Sequence, residues 1–228
     1  MAKICSCCHG IGYALDGDWA GVDDVLGWLG SFADIEGKTF ATFDPTVLSP
    51  EKLNHIRTYA ADPHGWLILL GNPGAGKTHL AGAIVHQARQ EGRPVLYAKV
   101  PALLETLRSC FAPDAEVSFE TCLRAICAVE LLVLDDLGAE HVTPWATATL
   151  QRVLNTRYDR QQNTVLVTAV DVGTLSPAIQ TMLADQRLCH GVILAVRAYA
   201  QRQPTAAPAA QAEHETRGRA RFRRARGQ

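Results

Sequence analysis

Apolar positions follow two alternating rhythms along the middle of the chain. Short apolar runs at Trp66–Leu70, Val95–Val100, Leu131–Leu134, Thr164–Thr168 and Gly191–Val196 are separated by stretches in which apolar residues recur every three or four positions. The continuous runs predict strands buried on both faces, and the recurrent spacing predicts helices. Between Pro45 and Pro63, Leu53, Ile56 and Ala60 share one helical face, with Pro50 near the start. Thr78–Glu91 carries Leu80, Ile84 and Ala88 in register and stops at Gly92, a residue suited to ending a helix in left-handed backbone. Pro101–Cys110, Phe119–Val129, Pro144–Tyr158 and a segment around Pro177–Leu188 supply the remaining helices. Strands that alternate with helices predict an α/β fold, a parallel sheet covered by helices on both faces. No internal repeat interrupts it.

The two ends depart from this rhythm. Residues 1–45 hold a cysteine cluster and an acidic, glycine-rich stretch (Asp16, Asp18, Asp23, Asp24, Asp34, Glu36), and read as a small N-terminal appendage separate from the sheet core. Residues 46–202 form the α/β domain. From Gln203 onward large apolar residues are nearly absent, which predicts a disordered tail over 203–228. Charge sharpens that division. The chain of 228 residues has a net charge of −1, but six arginines against two glutamates leave the tail at +4 and the preceding 202 residues at −5. A basic tail on an acidic body points to a nucleic acid or another acidic surface as partner.

A hydrophobic fraction of 47% and a charged fraction of 20% exclude a wholly disordered or fibrous chain. No apolar run approaches the roughly 18 residues of a membrane span, and no leader pattern opens the sequence, so a cytoplasmic protein without membrane contact is expected. Seven cysteines, an odd and mostly scattered set, argue against a secreted disulfide framework.

The chemistry concentrates between the first predicted strand and the helix after it. Gly71-Asn72-Pro73-Gly74-Ala75-Gly76-Lys77-Thr78 fits the pattern G-x-x-x-x-G-K-[ST] in full. Glycines let backbone N–H groups turn inward around phosphate oxygens, and the following helix N-terminus adds partial positive charge. Lys77 is placed to reach the β- and γ-phosphates of ATP, and the Thr78 hydroxyl to ligate Mg²⁺; His79 follows within the same candidate nucleotide-binding stretch. A metal at such a loop needs a carboxylate from a neighbouring strand end. Leu131-Leu132-Val133-Leu134-Asp135-Asp136-Leu137-Gly138 supplies two: Asp135 as candidate metal residue, and Asp136 as candidate catalytic group that orients or deprotonates the attacking water.

These residues resemble a family. Gly71–Leu80, with Thr-His-Leu after the lysine, and Leu131–Gly138 together resemble the AAA+ ATPases of the DnaC helicase-loader and IstB transposition-helper group. Lys38-Thr39-Phe40-Ala41-Thr42-Phe43 is similar to a short element those proteins carry ahead of the ATPase core, and the likeness spans roughly residues 38–202. The resemblance implies an arginine finger at Arg187-Leu188, reaching the nucleotide of a neighbouring subunit, and a second sensing arginine at Arg197 or Arg202. It also implies a polar sensor after the long helix, but Val170 stands where the family has Asn, with Thr168 two residues earlier. Cys5-Ser6-Cys7-Cys8-His9-Gly10-Ile11-Gly12 fits the Cys-x-x-Cys-x-Gly-x-Gly start of some loaders. Structural zinc takes four ligands, usually as two separated pairs, and Cys5, Cys7, Cys8 and His9 are too close to wrap one tetrahedron; no zinc is expected there. The other cysteines (Cys110, Cys122, Cys127, Cys189) read as small core residues.

The expected function is therefore an ATP-dependent accessory factor of DNA replication similar to a helicase loader. Its expected partners are a replicative helicase and single-stranded DNA, and it is expected to assemble as an ATP-dependent homo-oligomer. Three alternatives stay open: a transposition helper acting with a transposase, a small-molecule kinase built on the same phosphate loop, and a nucleotide-dependent binding protein with little turnover.

Overall fold

The computed structural model of this protein describes residues 22–140 and 143–194. All five apolar runs are strands: β1 (Trp66–Gly71), β2 (Val95–Lys99), β3 (Leu131–Leu137), β4 (Asn163–Thr168) and β5 (Cys189–Leu194). They form one parallel sheet in the order β2-β3-β4-β1-β5. Alternate residues of a strand face opposite sides, and each side has its own core. Leu67, Leu69, Val133, Val165 and Val167 pack against helices α2 (Pro50–Ala61) and α3 (Lys77–Gln90). Trp66, Ile68, Leu132, Leu134 and Leu166 pack against α1 (Val22–Leu29), α4 (Val100–Ser109), α5 (Phe119–Ala128), α6 (Pro144–Asp159) and α7 (Pro177–Leu183). The expected two-sided parallel sheet is present.

Several expectations need correction. The described part of residues 1–45 does not stand apart from the core. Val25 and Leu29 of α1 join the α4–α7 layer, whereas Ile35 and Phe43 are buried beside α3. Gly30 and Ser31 run along the outer strand β2, with Ser31 N–H donating to Tyr97 O at 3.2 Å. Covering an edge in this way hides open ladder groups. The helix expected around Pro177–Leu188 stops at Leu183, because Asp185 O accepts from both Leu188 N (3.1 Å) and Cys189 N (2.8 Å) and turns the chain into β5. That turn brings Leu188 O to Trp66 N at 2.7 Å, so β5 starts at Cys189 rather than Gly191.

One buried cation ties the layers together. Arg157 of α6 is fully buried and donates to Ile126 O (3.0 Å), Val129 O (2.9 Å), Asn163 O and Thr164 Oγ1 (3.0 Å). It satisfies the carbonyl end of α5 and the start of β4 at once. Burial lowers its pKa to about 10.

Candidate functional site

The loop leaving β1 has backbone that suits glycine. Gly74 and Gly76 hold φ of +76° and +92°, left-handed values that other residues adopt at a cost. At Gly71 a Cβ would lie 2.4 Å from Leu194 O, and at Gly76 it would lie 3.2 Å from the Phe43 ring. Gly76 caps α3 without a side-chain hydrogen bond, unlike Ser49 of α2, Ser118 of α5, Thr143 of α6 and Ser176 of α7. No side chain takes up the first amides of α3, an arrangement that suits an anionic ligand. Lys77, 8% exposed, folds back so that Nζ donates to Gly71 O (2.8 Å) and Asn72 O (3.0 Å). Burial lowers the Lys77 pKa, and Asp135 and Asp136 act against that shift. The loop lysine and both carboxylates share one electrostatic field.

The two aspartates differ because of a bulge. Leu134 pairs with Leu166 and Leu137 with Thr168, so β3 spends one more residue than β4 over the same span. Asp136 sits in that bulge at φ +57°, uncommon for a non-glycine residue and found disproportionately at functional sites. Asp135 is fully buried, its Oδ2 accepting from Tyr97 Oη (2.9 Å) and its Oδ1 from Asp136 N (2.8 Å). Asp136 is exposed, and its pKa is raised by partial burial and by Asp135, against the opposing charges of Lys99 and Lys77. Lys99 Nζ lies 3.5 Å from Asp34 Oδ1, placing a second lysine near the pair. Tyr97, Lys99 and Asp34 were missed from sequence. The β2–β3 pairing, which sets Lys99 beside Asp135, reveals Tyr97 and Lys99, and the ion pair with Lys99 brings in Asp34.

Other expected residues are placed differently. Thr168 is buried with its hydroxyl donating to Leu137 O (2.7 Å) and accepting from Val170 N (3.2 Å), so it braces the bulge and is not open as a sensor. Val170 packs over Gly138, where an added Cβ would meet Val170 Cγ2 at 2.5 Å. His79 Nε2 turns to Thr39 O (2.9 Å) and Thr42 Oγ1 (3.2 Å). Arg187 is not brought to the loop. It precedes β5 at the edge where β1 begins, roughly 17 Å along the strand from Gly71 by strand rise. Its side chain is 91% exposed and rests on Asp185 (3.1 and 3.2 Å), which also accepts from Tyr158 Oη (2.8 Å). Arg197, Arg202, the Cys5/Cys7/Cys8/His9 cluster and the basic tail lie outside the described residues.

A cleft of about 390 Å³ opens between the loop (Gly74–His79) and a wall that includes Lys38, Thr42, Phe43, Asp44 and Val47. Among the described residues no group of three or more His, Cys, Asp or Glu side chains could hold a metal alone. Mg²⁺ in a triphosphate site takes one or two protein oxygens and completes its shell with phosphates and water, a donor set that Thr78 and Asp135 fit. Buried Cys110, Cys122, Cys127 and Cys189 carry free thiols, as expected of core residues.

A five-stranded parallel sheet with a phosphate loop after β1 and a carboxylate pair ending β3 defines a P-loop protein of AAA+ type. The family model of the IstB-like ATP binding protein matches residues 36–201, and the chain belongs to that family. It is 37% identical over 97 residues to a Sinorhizobium fredii protein named as an insertion sequence ATP-binding protein, y4uH, covering 42% of this chain and 38% of that one. It is 25% identical over 104 residues to the replicative helicase loader DnaC of Buchnera aphidicola subsp. Acyrthosiphon pisum, covering 46% of this chain and 42% of the relative. The chain thus spans about two-fifths of the length of these two curated relatives. Among solved structures, the crystal structure of the DnaC helicase loader superposes with a TM-score of 0.58 at 21% identity, over 70% of this chain and 96% of that one. At that identity the likeness is one of fold.

Proposed function

We propose that this chain hydrolyses ATP as a homo-oligomer and serves as an accessory factor of DNA replication of the helicase-loader kind. The observation that carries the hydrolytic part is the division of labour in the sheet. The loop, Lys77, Thr78, Asp135 and Asp136 gather at the strands' C-terminal edge, whereas Arg187 projects from the opposite one. Lys77 neutralises the β- and γ-phosphates, and Thr78 with Asp135 holds the metal's shell. Bound Mg²⁺ supplies the charge that offsets the γ-phosphoryl oxygens. Asp136, thrust out by the bulge, orients the attacking water and accepts its proton. Arg187 completes the site of a neighbouring subunit, because its own phosphate loop is out of reach.

Single-stranded DNA as partner is supported by a surface of aromatic rings. Phe111 is 59% exposed and lies 4.9 Å from the Phe119 ring and 6.3 Å from Trp145, with the Arg108 guanidinium 4.9 Å over Trp145. Bases stack on such rings whatever their sequence, and an adjacent arginine favours the phosphate backbone.

A second reading, the transposition helper, is favoured by one observation: identity to the insertion-sequence protein is 37%, against 25% to the loader. A single pull-down separates them. The tagged chain, with ATP, ADP or no nucleotide, is offered the replicative helicase and the transposase of the same genome. ATP-dependent retention of helicase supports the loader; retention of transposase alone establishes the helper; retention of neither removes both.

A further inference from the structure

Three residues from outside the phosphate loop, Thr39, Thr42 and Phe43, converge on the first turn of α3 and the glycine before it. His79 Nε2 lies 2.9 Å from Thr39 O and 3.2 Å from Thr42 Oγ1. The Phe43 ring stands edge-on to the imidazole with centroids 5.4 Å apart, and the same ring closes over Gly76. A carbonyl oxygen can only accept, so Nε2 carries the hydrogen and donates it toward Thr39. The Thr42 hydroxyl donates its own proton to Gly37 O at 2.7 Å and meets His79 as a second acceptor. Thr39 N donates to Thr42 Oγ1 at 3.0 Å, so residues 37–42 close on themselves as a turn. His79 is where that turn is hydrogen-bonded to α3.

The chain past this turn forms a wall of the nucleotide cleft, with Phe43 and Val47 facing the loop. Lys77 and the carboxylates lie on the phosphate side, while the 38–47 wall brings apolar surface suited to a flat heterocycle. We propose that His79 is a positioning residue. It seats Thr39–Phe43 so that Phe43 and Val47 pack against the nucleoside part of the ligand, and it contributes nothing to holding the phosphates. This rests on the proposed nucleotide site and adds to it the part of the ligand that each wall binds.

The test is calorimetric titration of the full chain with ATP and with inorganic tripolyphosphate, each with Mg²⁺. Tripolyphosphate carries the phosphates without base or sugar. His79→Ala weakens ATP binding about five- to tenfold, the scale of losing one or two net hydrogen bonds, and leaves tripolyphosphate affinity unchanged. His79→Gln, whose side-chain amide offers a donor at similar reach, restores ATP affinity. Thr42→Val loosens the same fastening from the exposed surface without touching α3, gives the same selective loss, and decides the matter if His79→Ala does not fold. Equal weakening of both ligands, or undiminished ATP affinity in both variants, overturns the proposal. Failure of the unaltered chain to bind either ligand overturns the nucleotide site itself, and is seen before any variant is made.

Discussion

Adjacent residues of identical type stand in opposite surroundings at the end of β3, and backbone geometry is the reason. Asp135 is buried with both oxygens engaged, which suits a fixed metal shell; Asp136 is exposed in left-handed backbone, which suits a group that handles water. The two halves of the site are therefore separable by substitution. Lys77→Ala removes the principal point charge on the phosphates, and the expected outcome is loss of detectable ATP binding by calorimetry. Asp136→Asn retains shape and hydrogen-bonding capacity, so it is expected to bind Mg·ATP normally and lose turnover by about 10²–10⁴, the usual contribution of a general base. Wild-type affinity in the lysine variant, or wild-type phosphate release in the asparagine variant, would contradict this assignment.

At the scale of elements, what could be read from sequence divides by the range of the interactions. The five strands and the phosphate loop announce themselves through apolar runs and glycine spacing, which are local. The early stop of α7 rests on an Asp185 turn that serves β1, and α1 on a docking surface made by β2 and α5; neither partner is near in sequence. Tyr97 and Lys99 enter the site only because β2 lies beside β3. Arg157 shows the same limit, since an arginine on an amphipathic helix ordinarily faces solvent, and two of its acceptors lie 28 and 31 residues away. It predicts a large effect. Arg157→Met strands several buried carbonyl oxygens and is expected to lower unfolding free energy by more than about 3 kcal/mol in urea titrations. Arg157→Lys should recover little, because an ammonium cannot reproduce the fork of donors. A change under about 1 kcal/mol for the methionine variant would show that water replaces those bonds.

For the whole molecule, the proposed role of Arg187, away from its own phosphate loop, would make turnover a property of an assembly. Phosphate release per subunit is expected to rise with protein concentration. Arg187→Ala should remove that rise while leaving nucleotide affinity intact, since a finger supplied by a neighbour contributes roughly 10³–10⁵ in rate in other NTPases. Fast turnover at every concentration that survives Arg187→Ala would locate the full site within one chain. DNA contact is expected to be shared between two surfaces. Deleting Arg217–Gln228 should flatten the salt dependence of single-stranded DNA binding, each lost phosphate contact taking up to about 0.7 from the log–log slope. Phe111→Ala should instead weaken binding and leave the slope as it was, because stacking releases no counterions. Fluorescence anisotropy across a salt series distinguishes the two.

In the proposed oligomer, a sheet with its phosphate loop at one edge and Arg187 at the other gives each subunit a head and a tail. Contacts made head to tail are not self-complementary, so they either close into a ring or run on as a helical filament. They also make a defect directional. A Lys77→Ala subunit is expected to be blind at its own nucleotide but still to lend Arg187 onward, whereas an Arg187→Ala subunit is expected to bind ATP yet leave its neighbour unserved. Each is expected to be inactive by itself; mixed, they would contain junctions in which an intact loop faces an intact arginine. Phosphate release in a titration of one inactive variant into the other should therefore climb to a maximum at intermediate proportions and fall away on both sides, a curve that subunits acting singly cannot produce.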